Sequence, residues 1–324
     1  MKTFFLFTAF VLLASTNQAL ANQNVLFDYA VYAKNSIHAD CSDFQGKTAA
    51  GGPIDLTNFM VRMPYGNVGC ALESQTSVYL RNAKVLVGND ASCVGAPNFT
   101  AVNVQPTDQY NPLAQFQNLN EELDHLSASL SSTLQTSTVK QITLHLDPNH
   151  NHGFISLTGR LQDILIVNIF ETDVQIKNYG FILNGGLGPQ NIIWNFPNAK
   201  TVTLAYSGME GYGIPGTFVA PHALVIFNNA LITGALFADA IIGQASDTTC
   251  QGQVGGQVNG SCLINVIPGV GCGENALPSP SPCPCASPAP VPTCTPVPTP
   301  VPTPVPSCTP RPTPPNQQQS PPHH

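Results

Sequence analysis

Three groups of residues in this chain have the types and spacing that chemistry could use. His145, Asp147, His150 and His152 crowd into HLDPNHNHG and carry groups able to ligate a metal. Their spacing fits no defined site, and Pro148, Asn149 and Gly153 spell a turn, so a solvated turn and no metal are expected. Glu171 and Asp173 lie two apart, so on a strand they share a face, as paired-carboxylate catalysis requires. Such sites need further acids or a cation from neighbouring strands, and only Lys177 lies near in sequence. No catalytic residue is expected. The third group is aromatic: Tyr206 and Tyr212 bracket a Gly-rich loop, Tyr179 adjoins a Gly turn, and Trp194 shares one side of a strand with Phe196. An exposed ring can stack on the C–H face of a sugar while a hydroxyl hydrogen-bonds. Tyr206, Tyr212, Tyr179 and Trp194 are therefore the candidate glycan-binding residues. For the tyrosines the alternative is closure of strand ends, and for Trp194 it is burial. No Ser/His/Asp arrangement, phosphate loop or cofactor fingerprint is present, so no cofactor is expected.

The elements that would position these residues repeat. Gly46 opens GKTAAGGPIDLTNF and Gly216 opens GTFVAPHALVIFNN. Without a gap, Ala50 matches Ala220, Ile54 matches Leu224, Leu56 matches Ile226 and Asn58 matches Asn228. A looser copy starts at Gly234 and puts Ala238 in the same place. A small residue at a corner followed by alternating apolar residues is one rung of a β-solenoid, with the alternate side chains in a shared core. From Lys140 to Ala245 the chain reads almost wholly as strand, broken by Gly, Pro, Asn and Asp. Period alone does not decide whether each run is a separate rung. One helix interrupts the pattern. Asn111 can cap it and Pro112 can take its first position. Leu113, Phe116, Leu119, Leu123, Leu126, Leu130 and Leu134 then form one apolar stripe, suited to lying along the solenoid.

Residues 1–21 read as a signal peptide: Lys2, an apolar run from Phe4 to Ala14, and Ala19-Leu20-Ala21 before the expected cleavage. The run is too short to span a bilayer and no second one follows, so a secreted protein without membrane attachment is expected. Residues 22–275 form the folded domain. Residues 276–324, with PVPT-like units, should be a disordered, extended polyproline spacer. Charged residues are 9% of the chain against about a quarter in an average protein, and the net charge is -7. After Lys200 the one basic side chain is Arg311, which excludes a nucleic-acid surface and favours neutral partners. Ten cysteines in a secreted chain argue for disulfides. Cys41, Cys70, Cys93, Cys250, Cys262 and Cys272 are the domain candidates, and the most local pairing is Cys250 with Cys262. Cys283, Cys285, Cys294 and Cys308 in the tail could cross-link chains. Asn98 and Asn259 stand in glycosylation sequons.

The stretch GFILNGG…NIIWNFPNAKTVTL…GIPGTFVAPHALVIFNNALITGALFADAIIG resembles the C-terminal half of the choice-of-anchor A domain, and FQGKTAAGGPIDLTNF resembles its N-terminal signature. The resemblance runs from about Leu26 to Gln244. It departs at His222, where the family has Asn, in the longer AYSGMEGYG loop, and in a Pro/Cys-rich tail instead of a sorting anchor. The family is a secreted or surface-displayed β-helical domain of adhesins, found also in the Jonah-type cyst-wall lectins of amoebae, which bind cellulose. The expected fold is thus a right-handed parallel β-helix with one flanking α-helix. The expected function is non-enzymatic binding of a structural polysaccharide, cellulose first, in a cell or cyst wall. The rivals are a matrix scaffold, a polysaccharide hydrolase or lyase, and an ice-binding protein.

Overall fold

The computed structural model describes residues 26–64, 70–105, 107–110, 118–132, 135–146, 153–205, 213–243, 250 and 257–260. Residues 1–25 and 261–324, which hold the expected leader, the expected tail and its cysteines, lie outside these residues. The first run of strands comprises β1 (Val31–Asp40), β2 (Asp43–Gln45), β3 (Thr48–Ala50), β4 (Ile54–Thr57), β5 (Met60–Met63) and β6 (Leu72–Ser74). It continues with β7 (Ser77–Arg81), β8 (Lys84–Val87), β9 (Asp90–Ala91), β10 (Val94–Gly95), β11 (Asn98–Val102) and β12 (Gln109–Tyr110). Helix α1 (Leu119–Ser132) follows. The second run opens with β13 (Val139–Thr143), β14 (Gly153–Thr158), β15 (Ile164–Asn168), β16 (Asp173–Lys177), β17 (Tyr179–Asn184) and β18 (Ile192–Asn195). It closes with β19 (Thr201–Ala205), β20 (Ile214–Pro215), β21 (Thr217–Asn228), β22 (Leu231–Thr233), β23 (Leu236–Gly243) and β24 (Gln257–Asn259).

These strands stack as a parallel β-helix with three faces; β8 and β9 alone, among the described pairs, run antiparallel. On the first face the order is β12-β10-β6-β3-β1-β23-β21-β18-β15-β13. The rungs are therefore not in chain order. The chain starts in the middle, climbs to one end through β12, and resumes after α1 at the far end with β13. It then winds back until β23 docks on β1. The second face runs β11-β7-β4-β1-β23-β21-β19-β16, with β1, β21 and β23 crossing the corner as single long strands. The third runs β9-β8-β5-β2-β24-β22-β20, with β17 and then β14 beyond.

The corner between the first two faces is set by small residues. Ala50 pairs with Ala33, Ala33 with Ala238 and Ala238 with Ala220, a column of four contiguous, fully buried alanines. The three alanines read from the repeat share this corner, and Ala33 completes it. Gly46 and Gly216, which open the two copies, have φ of 141° and 111°. A Cβ at Gly46 would collide with the Ala30 side chain, and one at Gly216 would lie 2.6 Å from the Ile192 carbonyl oxygen. Only glycine fits both demands. The exit from the second face uses a left-handed residue in rung after rung: Asn178, Asn229, Cys41, Asn58, Asn82 and Asn103. Asparagine tolerates this conformation better than any residue but glycine.

Beyond the corner the ungapped repeat needs correction. Val225 pairs with Ile241, Ile241 with Ile37 and Ile37 with Ile54, so the partner of Ile54 in the stack is Val225, not Leu224. β21 spends one more residue at the corner than β4 does, and the pairing shifts between Ala220 and Leu224. A shift of one residue moves side chains to the opposite face. Val225 and Phe227 are buried, while Leu224 and Ile226 turn outward. The left-handed equivalent of Asn58 is likewise Asn229, not Asn228.

Helix α1 covers the first face. Leu119, Leu123, Leu126 and Leu130 pack on Ile166, Ile193, Val219, Phe237, Tyr32 and Ala49. Polar groups fix its register: the Tyr32 hydroxyl donates to Asn120 Oδ1 at 2.7 Å, and Lys34 Nζ meets Asp124 Oδ1 at 2.6 Å. Ser127 Oγ donates to Asn195 Oδ1 at 2.6 Å, and Asn195 Nδ2 donates to the Ser127 carbonyl at 3.0 Å. The Gln141 amide donates to the carbonyls of Leu130 and Ser131, satisfying the end of the helix. The expected cap at Asn111 and Pro112, with Leu113, Phe116 and Leu134, lies outside the described residues.

The disulfides correct the local guess. Cys250 bonds Cys41, 209 residues away, and Cys70 bonds Cys93. The first ties the residue that follows β1 to one that lies between β23 and β24 in sequence, in the rung where β23 meets β1. Cys262 and Cys272 lie outside the described residues.

Candidate functional site

The second face carries no covering element among the described residues, and its outward side chains form a grid. Neighbouring strands step about 4.8 Å and alternate residues about 6.7 Å. One row reads Asp173, Thr201, Leu224, Ala240, Ser36 across adjacent rungs; the next reads Gln175, Thr203, Ile226, Ile242, His38, Asp55, Tyr79, Thr100. A third reads Lys177, Ala205, Asn228 on one side and Asp40, Thr57, Arg81, Val102 on the other. The central rungs thus offer a flat, uncharged area of Thr201, Thr203, Ala205, Leu224, Ile226, Ala240, Ile242 and Ser36, each half-buried by its neighbours.

Toward β7 the same face becomes polar. His38 Nδ1 lies 3.4 Å from Asp55 Oδ2 and His38 Nε2 lies 4.0 Å from Asp40 Oδ2. Arg81 Nη2 donates to the Tyr79 hydroxyl at 2.8 Å. Burial raises the Asp40 carboxyl above its ordinary range; Asp55 adds to this, while His38 and Arg81 oppose it. Among the described residues no group of three or more His, Cys, Asp or Glu is placed to hold a metal.

The candidate residues scatter. Tyr206 and Tyr212 lie outside the described residues, between β19 and β20 in sequence. Tyr179 opens β17, half-buried, packed against the core and close to Gly153. Trp194 is a correction: it is fully buried, edge-on to Phe181 and tilted against Phe218, and its Nε1 donates to the Pro215 carbonyl at 2.6 Å. Its inward position in β18 removes it as a sugar platform. Asn98 is exposed on β11, its Nδ2 donating to the Thr76 carbonyl, and Asn259 is half-buried on β24. Glu171 precedes β16 and takes His145 Nδ1 at 2.9 Å, while Asp173 is exposed at the strand's start. Asp147, His150 and His152 lie outside the described residues. Sequence reasoning missed Leu224 and Ile226 as surface residues, because the extra corner residue leaves no mark in an ungapped repeat. It also missed Phe154, which is exposed on β14.

No helix among the described residues is long and apolar enough to cross a membrane. Solved structures with some likeness include an ice-binding protein from the Antarctic ascomycete Antarctomyces psychrotrophicus. It is 12% identical, with 74% of this chain and 97% of that one covered and a TM-score of 0.36. The DUF3494 domain of ice-binding protein 1 from Shewanella frigidimarina is 13% identical, over 74% of this chain and 96% of that one, with a TM-score of 0.37. A glycosylated ice-binding protein from an Arctic yeast is 14% identical, over 73% and 92%, at a TM-score of 0.36. Among curated proteins none matches the chain by sequence. The family model of the ice-binding-like adhesive domain matches residues 22–249, which include every described strand but β24. The chain belongs to this family of ice-binding-like adhesive domains.

Proposed function

We propose that the protein is a secreted, non-enzymatic adhesin that holds a structural polysaccharide fibre, cellulose first, against its second face. The observation that carries this reading is the flat uncharged area from Thr201 and Thr203 through Leu224, Ile226, Ala240 and Ile242 to Ser36, on contiguous rungs. A grid of short hydroxyl and branched apolar groups suits a ligand that repeats in two dimensions and carries no charge. Single contacts to one soluble chain are weak, and a fibre multiplies them by avidity of about 10²–10⁴ when the geometry fits. Few charges take part, so retention should survive salt.

The family's description favours a second ligand, ice. An ordered ice surface would be met by regular ranks of hydroxyl or small side chains, and here Leu224, Ile226 and Ile242 interrupt the rank of Thr201 and Thr203. The test is retention of the purified protein on cellulose, chitin and xylan, with and without added salt, beside partition into growing ice and assay for released sugars. Salt-resistant retention on cellulose without soluble products is expected. Uptake by ice alone would replace the ligand, and sugar release would make the protein an enzyme.

A further inference from the structure

Among the described residues the third face ends, beyond β20, in β17 and β14, and here an aromatic ring is exposed on a strand. Phe154 is 69% exposed, with Ile182 at 44% in the next strand. Phe154 pairs with Gly180, Ser156 with Ile182, and Thr158 with Asn184, so all six positions face outward. The ring lies over the bare backbone of Gly180: a Cβ there would be 2.7 Å from both Cδ1 and Cε1 of Phe154. The result is a flat shelf held by the absence of a side chain beneath it. Along the same strands the Asn184 amide donates to Ser156 Oγ at 3.0 Å, leaving the serine its own hydrogen to give. Neither β14 (GFISLT) nor β17 (YGFILN) has a charged residue.

From this arrangement we infer that Phe154, Ser156 and Asn184 form a sugar-binding subsite for one pyranose of a neutral polysaccharide, on a different face from the fibre-holding grid. The inference deepens the polysaccharide reading and rests on it. The chemistry is complementary on each count. An exposed ring stacks on the C–H face of a pyranose, a hydroxyl and a carboxamide at strand spacing meet its equatorial hydroxyls, and the lack of charge matches an uncharged ligand. An acidic or basic ligand would find no counter-charge on these strands. An exposed phenylalanine on a terminal strand also invites aggregation, which a bound sugar would prevent.

The experiment titrates the full-length protein with cellohexaose and follows the amide of Gly180 and the ring of Phe154 by NMR. Both should shift. Phe154→Ala should weaken cellohexaose binding about 2- to 10-fold, the range set by one aromatic contact, and Phe154→Tyr should restore it. Gly180→Ala, which displaces the ring, should weaken binding as Phe154→Ala does. Thermal unfolding of the Phe154 variants should match wild type. If saturating cellohexaose leaves Gly180 and Phe154 unshifted, or if Phe154→Ala binds as wild type, the subsite is wrong. If Phe154→Ala instead converts a sedimenting dimer to monomer, the ring covers a second copy and the inference falls. Fibre retention is measured on the same variants. Retention with no Phe154 effect removes the subsite alone, whereas loss of retention in wild type removes the polysaccharide reading itself.

Discussion

The same three strands, β1, β21 and β23, build both the covered first face and the bare second face, and the two halves of each strand differ in what they turn outward. Before the corner the outward residues are Tyr32, Val219 and Phe237, large apolar groups that helix α1 buries completely. After it they are Ser36 and His38, Leu224 and Ile226, Ala240 and Ile242, shorter or mixed groups that remain half-exposed. The core behind both halves is equally apolar, so the interior does not decide which face is covered. The outer row decides it. A row with aromatic bulk and a polar anchor such as Asn195 demands a partner within the chain. A flat row of modest apolarity costs little in water and stays available for a ligand.

The largest break in that comparison should come from the core common to both faces. Trp194→Ala removes a fully buried indole and its bond to Pro215, and should cost about 3–5 kcal/mol in a denaturant midpoint. Removing the Cys41–Cys250 bond with Cys250→Ser should cost about 2–5 kcal/mol by the same assay, since it frees the two ends where β23 docks on β1. On the covered face, Leu123→Ala should cost about 2–4 kcal/mol and expose amides of β21 and β18 to hydrogen exchange. At the shared corner, Ala220→Phe should overpack the alanine column and cost about 1–3 kcal/mol; an unchanged midpoint would mean that the corner has room. The smallest effect on stability belongs to the bare face. Thr203→Lys or Ile226→Lys should shift stability by no more than about 0.5 kcal/mol, because these side chains face solvent.

The two faces were also unequally legible from sequence. The helix stripe at Leu119, Leu123, Leu126 and Leu130 is a local pattern and matches the buried side of α1. The alanine corner is a repeat and was visible through Ala50, Ala220 and Ala238. The order of rungs is not local: Ala50 and Ala220 stand 170 positions apart in sequence, and with Ala33 and Ala238 between them they end three steps apart in the stack. The pairing of Cys41 with Cys250 follows from that rung order and was invisible for the same reason. The bare face was misread because one extra residue in β21 inverts the alternation, so Leu224 and Ile226 looked like core. Phe154 was missed because its apolar bulk suggests burial, although the alternation of GFISLT, with Ile155 and Leu157 inward, puts it on the outer side with Ser156 and Thr158. Trp194 shows the converse. Its burial, the alternative that the sequence offered beside a platform, follows from the register of β18.

The central claim is that the second face holds the ligand, and the direct measurement is retention on insoluble cellulose of a Thr203→Lys/Ile226→Lys double variant. Its control is a variant with one lysine on the third face, Thr233→Lys, and unfolding midpoints are recorded for both. The bare-face account predicts that the double variant stays folded and is washed from the fibre while Thr233→Lys is retained like wild type. Retention of the folded double variant at the wild-type level would contradict it.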